Sequence, residues 1–257
     1  MALLKVEDLT KRFGGVVALD RVSFSVEKEQ VVSLIGPNGA GKTTLFNCVT
    51  GVARPDEGSI LFGEGTPDSI QGCAPHEVAR SGLARTFQNI RLFGNMSVIN
   101  NVIVGTHVRT TAGLLEALWP FGREAHQEGR WSMDRARRLL DQLGLAPVAD
   151  RMACTLSYGQ QRRLELARAL ASDPEILLLD EPAAGLTFQE RQELTELLLE
   201  LRSRGLTILL IEHDMKVVMP ISDWVIVLDY GAKIAEGPPK EIQENPRVIE
   251  AYLGVKS

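Results

Sequence analysis

The octapeptide Gly36-Pro37-Asn38-Gly39-Ala40-Gly41-Lys42-Thr43 constrains this 257-residue chain more than any other feature, because it carries the spacing G-x-x-x-x-G-K-T. It lies between the apolar run Val31-Val32-Ser33-Leu34-Ile35 and a segment of helical character that runs to Thr50. A glycine-rich loop in that setting curls so that its N–H groups and the helix N-terminus face phosphate oxygens. Lys42 then reaches the β and γ oxygens of a bound nucleotide, Thr43 serves Mg²⁺, and Gly36, Pro37, Asn38, Gly39, Ala40, Gly41 and Thr44 complete the cradle.

Around that loop, short β-branched runs alternate with longer segments of helical period, the pattern of a mostly parallel sheet covered by helices. Val31 to Ile35, Ile176 to Leu179 and Thr207 to Ile211 read as strands buried on both faces. Phe188 to Arg204 reads as the helix between the last two, with Leu194, Leu197, Leu198 and Leu201 on one stripe and Gly205 as its stop. Val22, Phe24 and Val26 alternate with Ser23 and Ser25, as in a half-exposed antiparallel strand. The middle of the chain has helical stripes such as Ala136, Leu139, Leu140 and Leu143 instead. The expected fold is therefore α/β: a P-loop NTPase core with a mostly parallel sheet, an N-terminal antiparallel β subdomain and an inserted helical subdomain.

Composition narrows the function classes. With 28 Lys and Arg against 33 Asp and Glu the net charge is −5, and no basic run offers the positive surface that nucleic acid requires. Cys48, Cys73 and Cys154 form no C-x-x-C pair, which argues against zinc and against a disulfide framework. Met1 to Leu4 leads directly into Lys5, Glu7 and Asp8 without the apolar core of a signal peptide, and no apolar run approaches the ~20 residues of a membrane span. A membrane role would have to come through a partner.

The run Ile176 to Leu179 delivers Asp180 and Glu181 to the carboxyl end of a parallel strand, where open α/β sheets place ligands. Asp180 suits the metal, and Glu181 suits the water that attacks a phosphoryl group. Leu156-Ser157-Tyr158-Gly159-Gln160-Gln161 opens an amphipathic helix containing Leu164, Ala167 and Leu170. Taken in order after the phosphate loop and just before Asp180, this hexapeptide resembles the signature motif of ATP-binding cassettes.

That resemblance covers nearly the whole chain and implies an ATP hydrolase that acts as a dimer. Ser157, Gly159 and Gln160 would then meet the γ-phosphate of ATP held by the other subunit. Gln88, in Thr86-Phe87-Gln88, resembles the glutamine that senses Mg²⁺ and the permease contact. His213, in Ile211-Glu212-His213-Asp214, resembles the switch histidine, and Phe13, before Gly14-Gly15, the aromatic that stacks on adenine. Catalysis falls to Glu181 and His213, and metal binding to Thr43, Gln88 and Asp180. The family pattern makes residues 1–257 a single nucleotide-binding domain: 1–87 with 157–237 as the core, 88–156 as the helical subdomain and 238–257 as a C-terminal helical segment. Two residues depart from it. Tyr158 stands where most cassettes have the first signature glycine, and Thr187 where the segment Ala184-Gly185-Leu186 usually continues to Asp or Asn.

Finer resemblance points to the importers of branched-chain amino acids, through Glu181-Pro182-Ala183-Ala184-Gly185-Leu186, Ile211-Glu212-His213-Asp214-Met215 and the segment Asn245 to Gly254. The long stretch from Thr106 to Trp131, with Leu114, Leu115, Leu118, Trp119 and Phe121, looks like the longer of their two ATP-binding subunits. The implied partners are a homodimer mate or a second ATPase, two transmembrane permease subunits at the cytoplasmic face and, indirectly, a solute-binding protein. Importers of urea, amides or aromatic acids, ABC exporters and nucleic-acid-dependent ABC ATPases are the alternatives.

Overall fold

The computed structural model of the chain describes residues 2–65, 67–108 and 123–253. Of the Thr106 to Trp131 stretch, residues 109–122, which include Leu114, Leu115, Leu118, Trp119 and Phe121, lie outside the described residues, as does Gly254. The strands are β1 (Ala2–Phe13), β2 (Val16–Glu27), β3 (Val31–Ile35), β4 (Glu57–Phe62), β5 (Asp68–Ser69), β6 (Leu83–Arg85), β7 (Ile176–Asp180), β8 (Thr207–Ile211), β9 (Trp224–Asp229) and β10 (Ala232–Gly237). The helices are α1 (Lys42–Val49), α2 (Pro75–Arg80), α3 (Val98–Thr106), α4 (Arg123–Gln142), α5 (Tyr158–Ala171), α6 (Phe188–Ser203), α7 (Met215–Ile221), α8 (Pro239–Glu244) and α9 (Pro246–Leu253).

Two compact units account for these elements, one made of residues 1–85 and 175–257 and the other of 86–174. The first holds both sheets. Its larger sheet has the order β10-β9-β3-β8-β7-β6, parallel throughout except for the β10 edge. Every residue of β3, β7 and β8 is buried, as their largely aliphatic runs require of strands covered on both faces. The smaller antiparallel sheet runs β2-β1-β4-β5. Along β2, Val22, Phe24 and Val26 are buried while Ser23 and Ser25 are not, so the alternation sends one face to a core shared with Val32, Leu34 and Phe46. Helix α6 ends at Ser203 with Arg204 as its C-cap, and Gly205 follows at φ +92° as the left-handed stop.

Helices α3, α4 and α5 make the second unit, packing on Val98, Val102, Ala136, Leu140, Leu164 and Ala167. Close approach of α3 to α5 depends on Gly105, where a Cβ would stand 2.2 Å from the Arg168 carbonyl oxygen. Helix α5 lies in the 86–174 unit, and the first unit resumes at Glu175.

Candidate nucleotide site

The phosphate loop is built where β3 ends and α1 begins. Gly36 is buried at φ +149°, and a Cβ there would lie 2.1 Å from the Leu228 carbonyl oxygen of β9, so no side chain fits. Asn38, Gly39 and Thr43 are exposed along the loop, Pro37, Gly41 and Thr44 are half-buried, and Ala40 is buried. Lys42 folds back over the loop. Its Nζ donates to the Gly36 carbonyl at 2.7 Å and to the Pro37 carbonyl at 3.0 Å. Burial draws the Lys42 pKa down, against the pull of Glu181 and Asp180. Phe13 ends β1 with its ring half exposed, and the Lys11 ammonium lies 5.2 Å from the ring centroid.

Asp180 closes β7 with only 3% exposure, and its Oδ2 accepts from Arg85 Nη2 at 2.8 Å. The same guanidinium donates through Nη1 to Asn47 Oδ1 at 2.7 Å and Thr50 Oγ1 at 3.1 Å, which ties α1 and the residue after it to β6 and β7. Arg85 was not among the expected site residues. Its signal is an arginine ending an otherwise apolar strand, Leu83-Ala84-Arg85, three residues before Gln88.

Glu181 adopts φ +48°, a left-handed conformation that disfavours a side-chain-bearing residue by about 1–2 kcal/mol. Its N–H donates to the Ile211 carbonyl at 2.9 Å, and its Oε1 lies 3.7 Å from Nδ1 of the exposed His213. Glu212 is a second carboxylate that the sequence reading quoted without assigning a role. It is 1% exposed. Its Oε1 accepts from the Ala183 N–H at 2.9 Å, and its Oε2 accepts from the N–H groups of His213 at 3.1 Å and Asp214 at 3.4 Å. One buried carboxylate thus joins the turn after Glu181 to the backbone of His213.

Burial pushes the Glu212 carboxyl above its ordinary value of 4.5, although the three backbone donors pull it back. Between the ordinary and the raised value the folded state holds more protons than the unfolded one, so this group's contribution to stability falls as pH rises. Glu212→Gln should remove that slope from urea-unfolding curves recorded between pH 4 and pH 7. It should also turn an amide donor toward backbone donors, slowing hydrolysis about ten- to a hundredfold. Both outcomes are checked by unfolding and turnover assays on the same preparation.

The remaining expected residues lie in the 86–174 unit. Gln88 is exposed three residues beyond β6. Ser157 is the N-cap of α5, accepting from the Gln160 N–H at 3.4 Å while Gln160 Oε1 accepts from the Ser157 N–H at 3.1 Å. Gly159 is buried in the first turn. Thr187, in the first unit, makes a similar reciprocal cap on α6: its Oγ1 accepts from the Glu190 N–H at 3.3 Å, and Glu190 Oε2 accepts from the Thr187 N–H at 2.9 Å. The threonine thus supplies locally the helix cap that Asp or Asn would give.

Among the described residues no three His, Cys, Asp or Glu side chains gather as a metal site. The Thr43 hydroxyl and the Asp180 carboxylate are hard oxygen donors, a sparse set that fits Mg²⁺ completing its shell with phosphate oxygens and water.

Comparison with known proteins agrees with this geometry. The family model described as "ABC transporter" matches residues 19–184, and that described as "Branched-chain amino acid ATP-binding cassette transporter" matches residues 232–256. The chain is 49% identical over 256 residues to the high-affinity branched-chain amino acid transport ATP-binding protein BraF of Pseudomonas aeruginosa, covering 98% of each. It is 49% identical over 255 residues to LivG of Escherichia coli, of the same description, again covering 98% of each. A probable LivG of Archaeoglobus fulgidus is 37% identical over 263 residues, with 100% of this chain and 97% of that protein covered. Among solved structures, a nucleotide-free ATP-binding cassette from an ABC transporter superposes with a TM-score of 0.84 at 34% identity, covering all of both chains. The ADP conformation of such a cassette gives the same TM-score and identity over 99% of this chain and 100% of that one. The chain belongs to the ABC transporter family. Within it, the chain is an ATP-hydrolysing cassette subunit with the α/β P-loop fold that its sequence implied.

Proposed function

We propose that this chain powers the import of branched-chain amino acids, binding and hydrolysing ATP at the cytoplasmic face of a membrane to which permease subunits hold it. The observation that carries this reading is identity of 49% across 98% of both chains with proteins named for that transport, joined to the C-terminal match at residues 232–256. Among the described residues no helix is long and apolar enough to cross a membrane, so in this reading the transport path belongs to two permease partners.

In the proposed cycle, ATP stacks its adenine on Phe13 and lays its phosphates along Gly36 to Thr44. The Lys42 ammonium exchanges its two loop carbonyls for β and γ oxygens. Thr43 and Asp180, with Gln88 as the family resemblance implies, would hold Mg²⁺, which would supply neutralising charge to the phosphates. Glu181 orients and polarises the attacking water, and His213 contacts the γ-phosphate beside it. Ser157, Gly159 and Gln160 serve the nucleotide of a second ATPase subunit, identical or not, packed head to tail. The capped start of α5 supports that role, since a helix N-terminus favours an anionic phosphate. Closure and opening of the dimer are passed to the permeases, and a solute-binding protein delivers the cargo.

The test is uptake into vesicles carrying this chain, a second ATPase, both permeases and the liganded binding protein. ATP-dependent inward flux of labelled leucine, isoleucine and valine is expected, with Gln88→Ala reducing transport more than ATP binding. Outward flux, or carriage of urea, an amide or an aromatic acid with none of the three amino acids moving, would overturn the solute assignment.

A further inference from the structure

Two segments treated separately in the sequence, Thr86-Phe87-Gln88 and the start of α5, are joined inside the 86–174 unit by a buried ion pair. Arg162 is 8% exposed and Glu165 2%, with Nη1 and Oε2 3.4 Å apart. Arg162 Nη1 donates to the Phe87 carbonyl at 2.9 Å, and Nη2 donates to the Gln88 carbonyl at 2.6 Å. Glu165 Oε1 accepts from the N–H groups of Phe87 and Arg91, each at 3.4 Å. The pair therefore holds both carbonyls and amides of the chain that carries Gln88. Tyr158 braces it: its hydroxyl lies 3.0 Å from Arg162 Nη2, and its ring centroid lies 5.4 Å from the guanidinium carbon. The residue that departs from the usual signature glycine is thus a contact of the clamp.

A buried ion pair is a weak device for stability, because desolvation offsets much of its attraction. Here burial pushes the Glu165 carboxyl up, while the Arg91 and Phe87 amides and Arg162 pull it down. Two fixed charges facing backbone carbonyls and amides give a definite geometry to a segment that forms neither helix nor strand.

We propose that Arg162, seated by Glu165 and Tyr158, is a positioning residue for Gln88, so that the place of the Gln88 side chain follows the orientation of the α5 N-terminus. This rests on the roles proposed above for Gln88 and the signature segment. A turn of α5 toward the partner's nucleotide would then be delivered directly to the glutamine that meets the metal and the permease, and an ill-seated α5 would withdraw it.

A double-mutant cycle on the full-length chain tests this, read by Mg·ATP turnover and by hydrogen exchange at the amides of residues 86–92. Arg162→Lys keeps the charge but cannot bridge two carbonyls in a fixed fork. It should speed exchange at Phe87 and Arg91 and lower kcat about ten- to a hundredfold, with the KM for ATP changed less than about twofold. Tyr158→Phe should give the same changes in smaller measure. Because Arg162 acts through Gln88, Arg162→Lys combined with Gln88→Ala should be no slower than Gln88→Ala alone. Multiplicative losses in the double variant, or lost turnover with unchanged exchange at residues 86–92, would overturn the proposal. Wild-type turnover in Gln88→Ala would instead remove the role of Gln88 on which it stands.

Discussion

Glu181→Gln is expected to bind ATP as tightly as the wild type and to hydrolyse it roughly a hundred- to ten-thousandfold more slowly, the contribution typical of a positioned general base. The substitution keeps the shape of the side chain and the backbone bond from its N–H to the Ile211 carbonyl, so the turn at φ +48° is retained. What it removes is the carboxylate proposed to polarise water. ATP bound but not cleaved should also hold the closed dimer, and light scattering with Mg·ATP would show a doubled mass if the chain pairs with itself. Full activity in the variant would exclude Glu181 as the base.

Lys42→Ala should act at the earlier step. Bonds to a charged group contribute about 1.5–3 kcal/mol, so losing the ammonium should weaken ATP roughly ten- to a hundredfold and abolish productive turnover. The fold should be little affected, because the hydrogen bonds Lys42 gives up are to two carbonyls of its own loop, with no bond from its side chain to another element among the described residues. Calorimetric titration of both proteins and a thermal melt check these outcomes. Unchanged affinity together with unchanged hydrolysis would contradict the phosphate-loop reading of Gly36 to Thr43.

Much of this architecture was legible because local pattern and global fold agree. β3, β7 and β8 are largely aliphatic runs, a pattern that suits strands shielded on both faces, and the phosphate loop announces itself through its glycine spacing, with backbone occupying the Cβ positions of Gly36 and Gly41. What escaped were residues whose work is to hold others. Arg85, Glu212, Arg162 and Glu165 have no motif of their own, and each acts through partners distant in sequence or through backbone atoms that sequence does not display. The signature motif reads as continuous with the nucleotide core, while Leu164 and Ala167 beyond it are buried in the 86–174 unit.

The guanidinium of Arg85 has a bearing on affinity that reaches past the chemistry. By bridging Asp180 to Asn47 and Thr50 it fastens the end of β7 to the helix that follows the phosphate loop. Ordering loose elements at the moment of binding subtracts from the affinity that contacts could otherwise yield. In this protein that ordering is done during folding. A nucleotide binding at the loop would meet α1 and the Asp180 carboxylate already in register, so less of the free energy of its contacts would go into ordering them.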